Sequence, residues 1–148
     1  MTPSLTLLEL DGPIHFVGIG GAGMYALAEL VLRHGHQLTG CDSKESDATR
    51  RLGELGVPVY IGHDPAHVAG VAGVVTTAAV PSDHPEIRAA RDAGIPVWKR
   101  AEALGHVVNR GKVVAIAGTH GKTTTPAMTV PLLAEAGLDP TGLVGGSV

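Results

Sequence analysis

Ile14-His15-Phe16-Val17-Gly18-Ile19-Gly20-Gly21-Ala22-Gly23-Met24 is the stretch whose reading settles the architecture. Ile14 to Gly18 is a short, mostly apolar run, Gly18 to Gly23 fit G-x-G-x-x-G, and Ala22, Ala26, Leu27, Leu30 and Val31 then recur at helical spacing up to His34-Gly35. This predicts strand, tight loop and helix in immediate succession. In that setting the first glycine permits the turn, the second lets the backbone approach a diphosphate, and the third lets helix and strand pack closely. Unpaired amides at the helix start then face the anion. Asp42 ends the next strand at the spacing where an acidic side chain usually meets a ribose hydroxyl. The motif does not by itself identify the nucleotide.

The same alternation continues along the chain. Strands are expected at Gln37 to Cys41, Val57 to Ile61, Gly73 to Thr77 and Pro96 to Trp98. Helices are expected at Asp47 to Leu55, Pro65 to Val68, Pro85 to Ala93 and Arg100 to Val108, with Gly56 and Gly94 closing two of them. Short links between alternating strands and helices imply an α/β fold, a Rossmann-like parallel sheet with helices on both faces. Residues 1–13 lack a sustained period and read as a leader ending in the turn Asp11-Gly12-Pro13, so residues 14–108 form the first domain. Asn109-Arg110-Gly111 marks a boundary. Lys112 to Ala117 is then another apolar strand, Gly118 to Thr124 another glycine-bearing turn, and Thr125 to Ala136 another helical pattern closed by Gly137. A single strand and helix cannot cover both faces of a sheet, so residues 109–148 are expected to be the first strand, P-loop and helix of an incomplete ATPase domain.

Composition narrows the class. The 148 residues carry 11 basic and 14 acidic side chains for a net charge of −3, which supplies no basic stripe for nucleic acid. Only Phe16, Tyr25, Tyr60 and Trp98 are aromatic, too few for a base-stacking platform. The 21 glycines are about twice average usage. The most apolar stretch, Val68 to Val80, is interrupted and shorter than the roughly 20 residues of a membrane helix. One cysteine, no basic amino-terminal start and no long apolar leader together imply the cytoplasm.

The second loop, Gly118-Thr119-His120-Gly121-Lys122-Thr123-Thr124, carries G-K-T behind an expected strand. Lys122 would reach the β and γ phosphates of ATP, Thr123 would offer its hydroxyl to Mg²⁺, and the loop amides would cradle the remaining oxygens. The strict Walker pattern needs glycine at position 116, which is Ile116, so the match is to a shorter G-x-x-G-K-T form. Pro126 and Pro131 both fall beyond the first turn of the expected helix, where each removes a backbone donor, so a kink or an irregular start is expected. Of the histidines, His63 and His67 have the spacing of a helical pair. Pro65 lies between them with no third ligand nearby in sequence, which tells against zinc. His120 could orient ATP or simply pack in its loop, and Cys41 reads as a small core residue rather than a nucleophile.

The first stretch, taken with Gly118 to Thr125, His84-Pro85-Glu86-Ile87, Lys99-Arg100-Ala101-Glu102 and Ala134 to Pro140, resembles the Mur ligases, on the side of their L-alanine-adding members. That resemblance implies three domains in the whole protein, of which this chain would hold the first and the opening of the second. It implies that Gly18, Ile19, Gly20, Gly21, Ala22, Gly23 and Met24 hold the diphosphate of UDP-N-acetylmuramate, with Asp42, His63 and Thr77 on the uridine side. ATP would bind Gly118 to Thr124, with Lys122 catalytic and Thr123 on Mg²⁺. ATP would phosphorylate the muramoyl carboxylate, and the L-alanine amine would then attack the acyl phosphate. Three departures from the family pattern are Pro126, Pro131 and Ala78. The chain by itself is not expected to turn over. Rival readings are a recycling murein-peptide ligase, a nicotinamide-dependent dehydrogenase and a non-catalytic nucleotide-binding module.

Overall fold

The computed structural model describes residues 5–144. The chain divides into two compact units, Met1–Gly111 and Lys112–Val148. In the first, strands β1 (Ile14–Val17), β2 (Leu38–Asp42), β3 (Val59–Ile61), β4 (Gly73–Thr76) and β5 (Val97–Lys99) form one sheet in the order β3-β2-β1-β4-β5. Every pairing is parallel. Helices α1 (Ala22–Arg33), α2 (Asp47–Glu54), α3 (Pro85–Asp92) and α4 (Arg100–Val108) connect or flank these strands, with a 3-10 turn at Pro65–Val68. Observed ends lie within about two residues of the expected ones, the ordinary uncertainty of element boundaries.

Alternation along the strands divides the core. Ile14, Phe16, Leu38 and Val75 face one side, where they pack with Met24, Leu27 and Val31 of α1, Leu52 of α2, and Ala103 and Val107 of α4. Val17, Cys41 and Val74 face the other, against Val68 and, from α3, Ile87 and Ala90. The sheet is thus covered on both faces, as parallel sheets require. Phe16 is wholly buried, which contributes about 1.5–3 kcal/mol by transfer alone. Local signals start the helices. The Ser46 hydroxyl accepts the Thr49 amide at 3.3 Å, capping α2, and Pro85 occupies the first turn of α3, where its missing N–H is harmless.

The stretch read as a leader needs correcting. Residues 1–4 lie outside the described range, but Leu7–Glu9 form a 3-10 turn in which Leu7 is fully buried and Leu8 nearly so. The Leu7 amide donates to His106 Nδ1 of α4 at 3.1 Å. Two adjacent leucines carry no period, so their burial was not visible in the pattern.

Among its described residues the second unit has one regular element, α5 (Thr124–Glu135), and no residue from Lys112 to Val144 is buried. The strand expected at Lys112 to Ala117 is not formed. A strand exists only through a ladder partner, and Val113 and Val114 stand exposed without one among the described residues. Pro126 falls inside the first turn of α5 rather than beyond it. The flanking amides of Thr125 and Ala127 donate to the carbonyls of Gly121 and Thr123, while Lys122, the carbonyl in between, is denied that bond by the proline. The helix continues through Pro131. The expected chain end, Gly145 to Val148, lies outside the described residues.

Candidate functional site

The strand order reverses direction between β1 and β4, which makes the carboxyl ends of these two strands the topological switch point. The loop that leaves β1 is built tightly. Gly18 has φ +78°, a conformation that L side chains rarely adopt. The Gly18 and Ile19 amides donate to the Cys41 carbonyl at 2.9 and 3.0 Å, the Gly20 amide donates to Asp42 Oδ2 at 2.8 Å, and the Gly21 amide donates to the Gly18 carbonyl at 3.2 Å. The Ala22 and Gly23 amides have no backbone acceptor among the described residues, and both residues are exposed. These two N–H groups stand uncommitted at the start of a 12-residue helix, the arrangement in which a helix can receive an anion.

The glycine roles differ in part from those expected. A Cβ on Gly20 would lie 2.9 Å from Asp42 Oδ2 and 3.0 Å from Thr49 Cγ2, so this glycine admits the neighbouring loop. A Cβ on Gly23 would lie 2.7 Å from Arg100 Nη1, so the third glycine makes room for a guanidinium and not for a strand. Strand-to-loop packing is served instead by Gly40, where a Cβ would meet Ile19 Cβ at 2.9 Å. Sequence reasoning gave Gly40 no role, and it used Arg100 for the family resemblance and as a helix start without a role at this loop, because both act across elements.

The expected sugar-site residues separate into two groups. Gly18, Ala22, Gly23 and Thr77 border the switch point, with Thr77 Cγ2 3.5 Å from where a Gly18 Cβ would stand. The Thr77 hydroxyl accepts the Ala79 amide at 2.9 Å, and Lys99 Nζ donates to the Thr77 carbonyl at 3.4 Å. Lys99 and Arg100 therefore bring two cations to this end of the sheet. Ile19 and Met24 are buried in the core, and their amides are spent on Cys41 and Gly21, so they support the loop rather than offer donors. Asp42 holds Gly20 with one carboxylate oxygen, and its other accepts the Ser43 hydroxyl at 3.3 Å.

His63 belongs to a different grouping. Its Nδ1 lies 3.3 Å from Cys41 Sγ and 3.8 Å from Glu86 Oε2. Glu86, fully buried in the first turn of α3, also accepts from the Asp64 amide at 3.1 Å and lies 2.7 Å from His67 Nδ1. Burial pushes the Glu86 carboxyl up, but the groups gathered around it, His15, Cys41, His67 and the Asp64 amide, outweigh that and bring its pKa to about 2. Burial and the Glu86 carboxylate push the Cys41 thiol well above its ordinary range. Desolvation and His63 lower the pKa of His84. One signal could have exposed Glu86 in the sequence: with Ile87 and Ala90 it sits on the buried face of α3.

In the second unit, Lys122 Nζ donates to the Gly118 and Thr119 carbonyls, so the ammonium lies over its own loop. Gly118 and Gly121 have φ +153° and +79°. Thr123 caps α5 by position but makes no side-chain cap bond, which leaves its hydroxyl unengaged there. A glycine-bent loop, a cation at its mouth and an uncommitted hydroxyl at a helix start fit a nucleotide phosphate with a divalent ion. His120 and Thr124 are exposed beside them.

The first unit is therefore a Rossmann-like α/β fold with a glycine-rich loop at its switch point. The chain belongs to the Mur ligase family: the family model described as "Mur ligase family, catalytic domain" matches residues 13–112. A "UDP-N-acetylmuramate--L-alanine ligase" of Leptothrix cholodnii is 51% identical over 135 residues, covering 91% of this chain and 29% of that protein. Among solved structures, the UDP-N-acetylmuramate-alanine ligase MurC of Thermotoga maritima superposes with TM-score 0.84 at 36% identity, covering 93% of this chain and 33% of that one. The UDP-N-acetylmuramate:L-alanyl-gamma-D-glutamyl-meso-diaminopimelate ligase of Neisseria meningitides gives TM-score 0.83 at 34% identity, covering 92% and 43%. The chain thus spans about 29% of the length of the curated relatives it matches. Among the described residues no helix is long and apolar enough to cross a membrane.

Proposed function

We propose that this chain supplies the UDP-sugar site and the phosphate loop of a cytoplasmic, ATP-dependent ligase that joins L-alanine to UDP-N-acetylmuramate. The observation that carries the reading is the switch point, where the Ala22 and Gly23 amides are uncommitted, Arg100 lies against Gly23 and Lys99 stands beside Thr77. Two cations and a helix start neutralise a diphosphate. Residues 14–108 form the UDP-sugar domain in this reading, and residues 109–148 open the ATP-binding one.

ATP, when bound, would supply its γ-phosphoryl group to the sugar's carboxylate with release of ADP, giving an acyl phosphate whose phosphate leaves far more readily than hydroxide would leave the free acid. The chain's own contributions are positional and electrostatic. Gly18 turns the backbone so that the Ala22 and Gly23 amides point outward, and Asp42 anchors the loop through Gly20. With nucleotide present, Lys122 would exchange its two carbonyl acceptors for phosphate oxygens, and the Thr123 hydroxyl would help hold Mg²⁺. The preference for L-alanine rests on the 51% identity to a ligase named for that amino acid. The murein-peptide ligase reading stays second, supported by the Neisseria neighbour.

Parallel calorimetric titrations of the chain with UDP-N-acetylmuramate and NADH test the proposal. Heat from the UDP-sugar alone supports it. Binding of NADH alone overturns it in favour of a dehydrogenase-like module, and equal binding of unrelated nucleotides favours a non-catalytic sensor.

A further inference from the structure

Four side chains from four different elements meet beneath the second face of the sheet. His15 comes from β1, Cys41 from β2, His67 from the 3-10 turn and Glu86 from α3, and one ligand-type atom from each lies within 4.8 Å of all the others. Cys41 Sγ is 2.9 Å from Glu86 Oε2, His67 Nδ1 is 2.7 Å from Glu86 Oε1, and His15 Nε2 is 3.7 Å from Glu86 Oε2. The side chains of His15 and Glu86 are fully buried, as is Cys41, and that of His67 is 17% exposed.

Hydrogen bonding leaves this group incomplete. His15 Nδ1 is engaged by the Thr39 hydroxyl at 2.8 Å, which turns Nε2 into the cluster. There it is buried and, with Glu86 Oε2 3.7 Å away, has no partner within hydrogen-bond distance among the described residues. A buried polar atom left unpaired is costly and asks for an occupant. The donors around it define the kind of occupant. Two imidazole nitrogens, one sulfur and one carboxylate oxygen suit a borderline-soft ion in tetrahedral geometry. With metal–ligand bonds of about 2.0–2.3 Å, tetrahedral neighbours stand roughly 3.2–3.7 Å apart, and four ligand-type atoms within 4.8 Å of one another reach that spacing by small side-chain adjustments, the two shortest contacts to Glu86 opening and the wider ones closing. The Thr39 bond to the far nitrogen of His15 is the outer contact that fixes a ligating imidazole. Tyr60 stacks on His67 with ring centroids 4.2 Å apart and fixes the second one. His63, 31% exposed and 3.3 Å from Cys41 Sγ, gives the ion a route in from solvent.

We propose that His15, Cys41, His67 and Glu86 bind a zinc-class divalent cation that ties β1, β2, the 3-10 turn and α3 together. Four protein ligands leave no open position, so the site is structural. On binding, Cys41 releases its proton to solvent and coordinates as the thiolate. Sequence reasoning dismissed zinc because it sought a third ligand near His63 and His67; the remaining ligands come from distant strands and a helix. This inference is independent of which nucleotide the switch point binds.

The test is titration of the chain with Co²⁺, followed by displacement with Zn²⁺. Expected are one equivalent bound, a thiolate-to-cobalt charge-transfer band in the near ultraviolet, tetrahedral d–d bands in the visible, and their loss on adding one equivalent of Zn²⁺. Cys41→Ser removes the charge-transfer band, and Thr39→Val lowers affinity by about tenfold or more while circular dichroism keeps its native form. Absence of the charge-transfer band in the unmodified chain overturns the proposal, whether or not the variants fold. So does binding that is equally strong in Cys41→Ser and His67→Gln, which would place the ion on surface histidines.

Discussion

The two glycine loops have similar local sequences and opposite surroundings. Gly18 to Gly23 leave a strand paired on both sides and enter a helix with Met24, Leu27, Ala28, Leu30 and Val31 buried. Gly118 to Thr124 leave an unpaired segment and enter a helix with no buried residue. A glycine-rich loop of this kind is thus specified locally by its glycines, but its rigidity is supplied by the sheet beneath it.

Hydrogen exchange puts this contrast under the greatest strain. Amides of β1, β2 and β4 should exchange several orders of magnitude more slowly than those of residues 112–144, since protection follows buried contacts. Uniform protection would falsify the contrast. Phe16→Ala should cost the first unit about 3–5 kcal/mol, read as a lower urea midpoint by Trp98 fluorescence. An unchanged midpoint would mean that the loop's floor is not the core around Phe16. Gly40→Ala, which drives a Cβ against Ile19, should cost about 1–3 kcal/mol and weaken UDP-sugar binding. Gly111→Ala, with nothing within 4 Å of the added Cβ, should leave both unchanged. Arg100→Ala should lower UDP-sugar affinity by about tenfold through loss of one charge-assisted bond, with the urea midpoint held. Ser46→Ala, which removes the α2 cap, should cost about 1 kcal/mol in the same melt.

What could be read from the chain alone followed the range of the interactions. The βα alternation, the loop after β1 and the span of α4, Arg100 to Val108, were legible because period and punctuation are local properties. Lys112 to Ala117 has strand-like composition, but pairing depends on a neighbour that composition cannot supply. Met24 and Ile19 lie within the binding motif yet serve the core, since a motif records adjacency and not direction. Glu86 shows locally only as one residue of the buried face of α3, and its meeting with Cys41 and His15, which happens only when β1, β2 and α3 stack, has no local pattern to announce it.

The outermost strands of the sheet, β3 and β5, are three residues each. An unpaired strand edge is a template onto which another chain can add, and the length of the template sets how many ladder bonds an intruder gains. Tyr60 and Ile61 are exposed on β3, but an edge this short offers too few open amides and carbonyls to hold a foreign strand in register. The sheet is thereby protected from edge-to-edge polymerisation by the brevity of its borders, without charged guard residues on β3.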